Sequence, residues 1–187
     1  MKLITEQLQQ DHQQIIKVLY HLDREITALS LKTQKRCGDK VLDILDYIQV
    51  YPELWHHPAE DIIFDALLKA NTAQADVIKR TIDEHEILAL LTEQLLHHLD
   101  QWVSGAKASP HRLIKSCRDY IDRQLQHIQI EQEIIFPLFS QINAEQWRSI
   151  KQQLKMHQPV WQGEAIHTQS MHQTYSNIVR GHLVTAH

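Results

Sequence analysis

Residues 75–103 read ADVIKRTIDEHEILALLTEQLLHHLDQWV, and their apolar side chains recur every three or four positions. This spacing places them on one face of an α-helix. The apolar face consists of Ile78, Ile82, Leu88, Leu91, Leu95 and Leu99. Neither glycine nor proline interrupts the stretch before Ser104-Gly105-Ala106 ends it. The stretch therefore predicts one helix of about eight turns.

Three further stretches show the same spacing: residues 5–31, 40–70 and 110–137. Pro52 and Pro58 fall inside the second of these, where they predict a bend. Four long helices joined by short polar loops are typical of an up-down four-helix bundle. We therefore expect an all-α fold in which residues 1–140 form the bundle.

The remainder of the chain, residues 141–187, predicts a C-terminal helical extension. Asn143 followed by Gln146 resembles a capping box that opens a helix. A last helical stretch is expected over residues 164–179. Because the extension carries apolar side chains, we expect it to pack on the bundle or on a partner subunit, which would make a homodimer.

Composition excludes several classes of function. The net charge is −4, from 19 Lys and Arg against 23 Asp and Glu, which argues against a nucleic-acid partner. The four glycines are far apart, so there is no glycine-rich loop to hold a nucleotide phosphate. No apolar run approaches the roughly 20 residues of a membrane helix, and two cysteines do not make a disulfide scaffold. We expect a cytoplasmic protein without a membrane partner.

Histidine is unusually frequent, with 14 of the 187 residues, and it is the commonest metal ligand in proteins. Four pairs join a histidine to a carboxylate four residues later, on the same helical face: His21/Glu25, His56/Glu60, His57/Asp61 and His127/Glu131. His21 lies opposite the apolar line of the first helix, so its pair is expected to face solvent. The spacing alone is weak evidence, because chance gives about two such pairs in this composition.

The placement of the pairs along the chain is more specific. His12 lies on the apolar line of the first helix, and His85 lies on that of the third. Each half of the bundle thus supplies one histidine from one helix and a His-xxx-Glu pair from the next. This pseudo-repeat predicts a two-metal site between the halves.

A metal-free core is the competing interpretation, since a histidine on an apolar face is more often a hydrogen-bonded core residue. Four histidines and two glutamates in one bundle core would then leave many polar atoms unpaired. Each unpaired buried group costs about 1–3 kcal/mol, and a charged one costs more. Metal binding is therefore the favoured interpretation.

The motifs as a set resemble the hemerythrin-like, or HHE cation-binding, family of four-helix bundles with a non-haem di-iron centre. Residues 11–12 (DH), 56–61 (HHPAED), 83–85 (DEH) and 127–137 (HIQIEQEIIFP) are similar to its DH, HHPxED, EH and HxxxEExxLFP segments. The resemblance covers residues 3–140. It implies two iron ions joined by an oxo or hydroxo bridge, for which manganese or zinc could substitute. The implied ligands are terminal His12, His56, His85 and His127, with bridging Glu60 and Glu131.

Two departures from the family pattern leave alternatives open. Hemerythrins proper carry a second histidine four residues before the third-helix ligand, and Thr81 occupies that position here. His57 is the alternative source of a fifth histidine. In addition, Phe64 follows Glu60 by four residues, whereas Phe136 follows Glu131 by five. This slip leaves His57/Asp61 as the other register for the first pair.

The donor count bears on function. Two octahedral ions need about twelve donors, of which the histidines and carboxylates supply about eight and an oxygen bridge about two more. The open positions imply reversible binding or sensing of O₂, NO or peroxide. A di-iron oxidase or peroxidase is one alternative, and a metal-responsive interaction module without catalysis is another. We assign no catalytic residue.

Overall fold

A computed structural model describes residues 2–31, 36–70, 72–104 and 110–163 of the chain. Within these residues there are helices and turns but no strand, which confirms the all-α fold class. The α-helices are α1 (Lys2–Leu31), α2 (Arg36–Tyr51), α3 (His57–Lys69), α4 (Ala75–Val103), α5 (Pro110–Ile130) and α6 (Ala144–Gly163).

One π-helical turn, Pro52–His56, joins α2 to α3, and the N–H of His57 bonds to the carbonyl of Pro52. The expected bend at the prolines is thus a single wide turn in a continuous helical segment. A π turn adds one residue to the turn, so the buried face moves by one position. Buried residues run Ile44, Ile48, Tyr51 and Trp55 before the shift, and His56, Glu60, Ile63 and Leu67 after it.

A second π turn, Glu131–Ile135, follows α5 and leads into a 3₁₀ helix, Phe136–Gln141. The fourth long helix expected over residues 110–137 is therefore α-helical only as far as Ile130. The N–H of Phe136 bonds to the carbonyl of Glu131, five residues back. This bond explains why Phe136 follows Glu131 by five residues while Phe64 follows Glu60 by four. Both phenylalanines belong to the same apolar cluster.

The long segments pack in a ring: α1 contacts α2 and α5, and α4 contacts α2, α3 and α5. Two apolar clusters fill the interior. The large apolar cluster includes Ile15, Leu19, Ile44, Ile48, Trp55, Leu88 and Ile128. The small apolar cluster includes Leu8, Ile63, Phe64, Ile78, Ile135, Phe136 and Trp147.

A layer of buried polar residues separates these two clusters. On α1, His12 lies between Leu8 of the small cluster and Ile15 of the large one. On α4, His85 lies likewise between Ile78 and Leu88. The bundle therefore encloses its histidines and glutamates between two water-excluding cores.

The helix α6 packs on α3, and Trp147 and Ile150 join the small apolar cluster. Its capping box is confirmed: the Asn143 N–H donates to Gln146 Oε1, and the Gln146 N–H donates to Asn143 Oδ1, each at 2.9 Å. The helical stretch expected over residues 164–179 lies outside the described residues. Among the described helices, none combines the length and the apolar character needed to cross a bilayer.

Candidate metal centre

Two groups of buried side chains in the polar layer could each hold a metal ion. In each group, one nitrogen or oxygen atom from every member lies within 4.8 Å of the others. The first group consists of His12, His56, Glu60 and Glu131. The second group consists of His57, Glu60, His85 and His127. Glu60 belongs to both, so the groups form one continuous centre.

The first π turn explains how neighbouring histidines reach different groups. Consecutive residues of an α-helix point about 100° apart, so adjacent side chains enter the core in different directions. His56 ends the π turn and His57 begins α3, and each is only 2% exposed. Their ring centroids lie 5.7 Å apart. The wide turn thus lets both rings enter the core.

Glu60 faces both groups through its two oxygen atoms. Its Oε1 lies 3.3 Å from Nε2 of His12 and 3.3 Å from Nε2 of His56. Its Oε2 lies 3.8 Å from Nε2 of His85. One carboxylate oxygen is therefore directed to each group.

Glu131 is arranged in the same way. Its Oε2 lies 3.2 Å from Nε2 of His12, in the first group. Its Oε1 lies 3.2 Å from Nε2 of His127 and 3.4 Å from Nε2 of His85, in the second. Two donors bound at right angles to one ion at about 2.1 Å lie about 3.0 Å apart, so these separations suit neighbouring ligands.

Many of these atoms have no hydrogen bond within the described part of the chain. Among them are both ring nitrogens of His12 and His57, both oxygens of Glu60, Nε2 of His127 and Oε2 of Glu131. Each such buried atom costs about 1–3 kcal/mol when unpaired. Nitrogen and carboxylate donors converge here without partners, so the residues present fit a pair of cations.

In three of these histidines, a carboxylate faces Nδ1, which we call the outer ring nitrogen. Nδ1 of His85 lies 2.8 Å from Oδ1 of Asp61, within hydrogen-bond distance. Nδ1 of His57 lies 3.4 Å from Glu53, and Nδ1 of His56 lies 3.5 Å from Asp11. Outer partners of this kind typically orient metal-binding histidines.

The pKa values reflect the excess of carboxylate at the centre. Burial alone would lower the pKa of His12, but Glu131 and Glu60 raise it to about 10. For His85, burial is likewise opposed by Asp61 and Glu131, and the pKa is about 10. Burial and the neighbouring His85 lower the pKa of His57. Without metal, the rings of His12 and His85 therefore each carry a second proton near neutral pH, and a bound cation would displace it.

The six residues expected as ligands are thus all in the two groups. His57, the expected alternative, belongs to the second group, whereas Asp61 lies outside both with its side chain 41% exposed. Thr81 is buried and its hydroxyl donates to the Val77 carbonyl at 3.0 Å. The outer contacts of Glu53 and Asp61 were not predicted, although Glu53 stands four residues before His57.

A surface groove between α4 and α5 reaches this centre. Its volume is about 720 Å³, and its lining includes Thr81, His127, Glu84 and Arg123. Nη2 of Arg123 donates to Oε2 of Glu84 at 3.0 Å across the groove. The pKa of Glu84 is lowered by this pairing.

Residues 3–139 match the protein-family model described as hemerythrin HHE cation binding domain. The matched region contains every residue of both groups and ends before α6 begins at Ala144. Neither the curated proteins nor the solved structures contain a significant match.

Proposed function

The chain belongs to the hemerythrin HHE cation-binding domain family, and from that premise we propose that it binds two iron ions and uses them to bind or sense O₂, NO or peroxide reversibly. The observation that carries this proposal is the pair of buried groups joined through Glu60. Many of their nitrogen and oxygen atoms have no hydrogen bond within the part of the chain that the structure describes.

In this proposal, each ion has its own histidines. His12 and His56 would hold the first ion, and His57, His85 and His127 would hold the second. Glu60 and Glu131 would each offer one oxygen to the first ion and the other oxygen to the second. The distances from these oxygens to the histidines of both groups support this assignment. The first ion then has four protein donors and the second has five, against about six positions for octahedral iron. The first ion keeps more positions for an external ligand.

Iron supplies the redox change and the open positions at which a small ligand binds. The chain supplies apolar clusters that cover the centre on both sides along the bundle, and the groove between α4 and α5 gives a small ligand access beside His127. Phe136 stacks on the ring of His12, with centroids 5.2 Å apart, and so closes the first group toward the small cluster. Surroundings of low polarity strengthen the attraction between the ions and the two carboxylates.

The ligand chemistry favours reversible binding over oxidation of a substrate. Five neutral imidazoles and two carboxylates provide less negative charge than the glutamate-rich di-iron sites of ferritin-like bundles. Less anionic charge stabilises high-valent iron less well. The centre therefore suits a cycle between ferrous and ferric iron with a small ligand bound and released.

The test is the metal content of the natively purified protein, with absorption spectra before and after dithionite. We expect about two irons per chain, as the two groups imply, and near-ultraviolet bands that bleach on reduction and return in air. Stoichiometric spectral change with NO, without turnover of peroxide, separates reversible binding from oxidase or peroxidase activity. A folded protein that refuses iron on reconstitution contradicts the proposal.

A further inference from the structure

Asp61 makes a contact that links two helices beside the second group. It lies on α3, and its Oδ1 is 2.8 Å from Nδ1 of His85 on α4. The other edge of the same ring faces inward, where Nε2 of His85 is 3.4 Å from Glu131 and 3.8 Å from Glu60. The imidazole thus lies between an outer carboxylate and the centre.

The chemistry of this contact fixes which nitrogen faces the centre. An ionised carboxylate can only accept a hydrogen bond, so Nδ1 of His85 is the donor. In the neutral ring, Nε2 then carries the free lone pair that a metal ion needs. The same bond prevents the ring from flipping, because a flip would leave Asp61 without its donor.

We propose that Asp61 is a positioning residue that presents Nε2 of His85 to the second ion, and that it does not bind the ion itself. The inference rests on the proposed function, because it concerns a ligand of that ion. Asp61 belongs to neither group of converging donors, and its 41% exposed side chain reaches the ring from the outer side.

The neighbouring outer carboxylate is a weaker partner. Glu53 lies 3.4 Å from Nδ1 of His57, and that nitrogen has no hydrogen bond within the described residues. Among the three outer contacts, that of Asp61 is the short one. It is therefore the outer carboxylate whose removal should affect the centre most.

The experiment compares Asp61→Ala with Asp65→Ala. Asp65 is an exposed carboxylate one turn further along α3 and belongs to neither group, so it controls for the loss of one negative charge. Zinc is the probe because it has no redox chemistry, and a competing chromophoric chelator resolves the affinities of the two ions. We expect Asp61→Ala to weaken the second zinc site about 10- to 100-fold, the usual effect of losing an outer partner. Asp65→Ala should leave both affinities unchanged.

Two further readouts separate positioning from packing. Nitrogen NMR of the zinc-loaded protein should show His85 as a single Nδ1–H tautomer in the wild type and as a perturbed ring in Asp61→Ala. Asp61→Asn keeps an acceptor oxygen at Oδ1, so it should recover most of the affinity. Urea unfolding of the metal-free protein should show a lower midpoint for Asp61→Ala than for Asp65→Ala, because Asp61 also hydrogen-bonds His85 without metal and its loss leaves that buried imidazole without its acceptor.

Unchanged zinc affinity in Asp61→Ala overturns this inference alone and leaves the proposed function standing. An equal loss of affinity at both zinc sites also overturns it, because Asp61 would then support the centre as a whole and not His85 in particular. A wild-type chain that takes up neither zinc nor iron overturns the proposed function and the inference together.

Discussion

The imidazole rings of His57 and His85 stack in parallel, with centroids 4.1 Å apart and planes inclined by 7°. His57 comes from the start of α3, whereas His85 comes from the middle of α4. Hemerythrins proper take the partner of this α4 histidine from one turn earlier on the same helix. In this chain Thr81 occupies that position, and His57 reaches the second group from another helix.

Replacing His57 tests this exchange of ligands. We expect His57→Ala to lower the affinity for the second ion by at least about tenfold, since losing a direct ligand should cost no less than losing an outer partner. Adding Thr81→His to that variant should restore part of the affinity, because residues four apart on α4 share a face. The measurement is iron or zinc affinity by competition with a chelator. Equal affinity in wild type and His57→Ala would remove His57 from the ligand set.

Glu60 belongs to both groups of converging donors, so the proposed function assigns it to both ions. Glu60→Gln keeps the shape of the side chain but removes the negative charge that faces both groups. We expect metal content to fall from about two ions per chain to less than one, because both ions lose an anionic donor. Glu86→Gln is the matched control, since Glu86 is exposed on α4 and outside both groups. Two ions per chain in Glu60→Gln would contradict the shared carboxylate.

Metal removal should lower thermal stability. A ligand present at 100 times its Kd stabilises the folded state by about 2.7 kcal/mol. For a chain of this size, that corresponds to a melting temperature about 5–11 °C higher. Calorimetry with and without a chelator measures the difference. The chelator should lower the melting temperature of Glu60→Gln less than that of the wild type, because the variant binds less metal. An equal loss in both proteins would mean that the chelator acts on stability by another route.

The packing of α6 on α3 makes a prediction that is independent of metal. Trp147 is 6% exposed in the small apolar cluster, so Trp147→Ala should lower the free energy of unfolding by about 3–5 kcal/mol. Met156 on the same helix is 70% exposed, and Met156→Ala should change the free energy of unfolding by less than about 0.5 kcal/mol. Urea unfolding measures both. A similar, small effect in the two variants would mean that α6 contributes little to the folded unit.

The bundle and most of the site follow from spacing in the sequence. Apolar residues every three or four positions predict the long helices, and they also show that His12 and His85 face inward. The His-xxx-Glu pairs then predict which carboxylates lie next to His56 and His127. These inferences need only the geometry of a single helix.

What the sequence did not predict depends on relations between helices. The contact of Asp61 with His85 crosses from α3 to α4, so it depends on how those helices are rotated against each other. The inward direction of both His56 and His57 depends on the π turn that ends at His56. Proline marks a disturbance at that place but does not say that the helix widens. The second π turn, Glu131–Ile135, contains no proline at all.

The two π turns make the centre sensitive to chain length as well as to residue identity. Removing Leu54 from Pro52–His56 would keep every histidine and glutamate, yet it would convert the π turn to an α turn and narrow the buried face that Trp55, His56 and His57 now share. Removing Gln132 from Glu131–Ile135 would likewise convert the second π turn, so that Phe136 would follow Glu131 by four residues, as Phe64 follows Glu60. A relative that retains all these side chains but lacks one residue at either place would preserve the motif with a regular α turn in place of the wide one. Single-residue gaps at these two positions therefore mark family members that lack the wide turns of this centre.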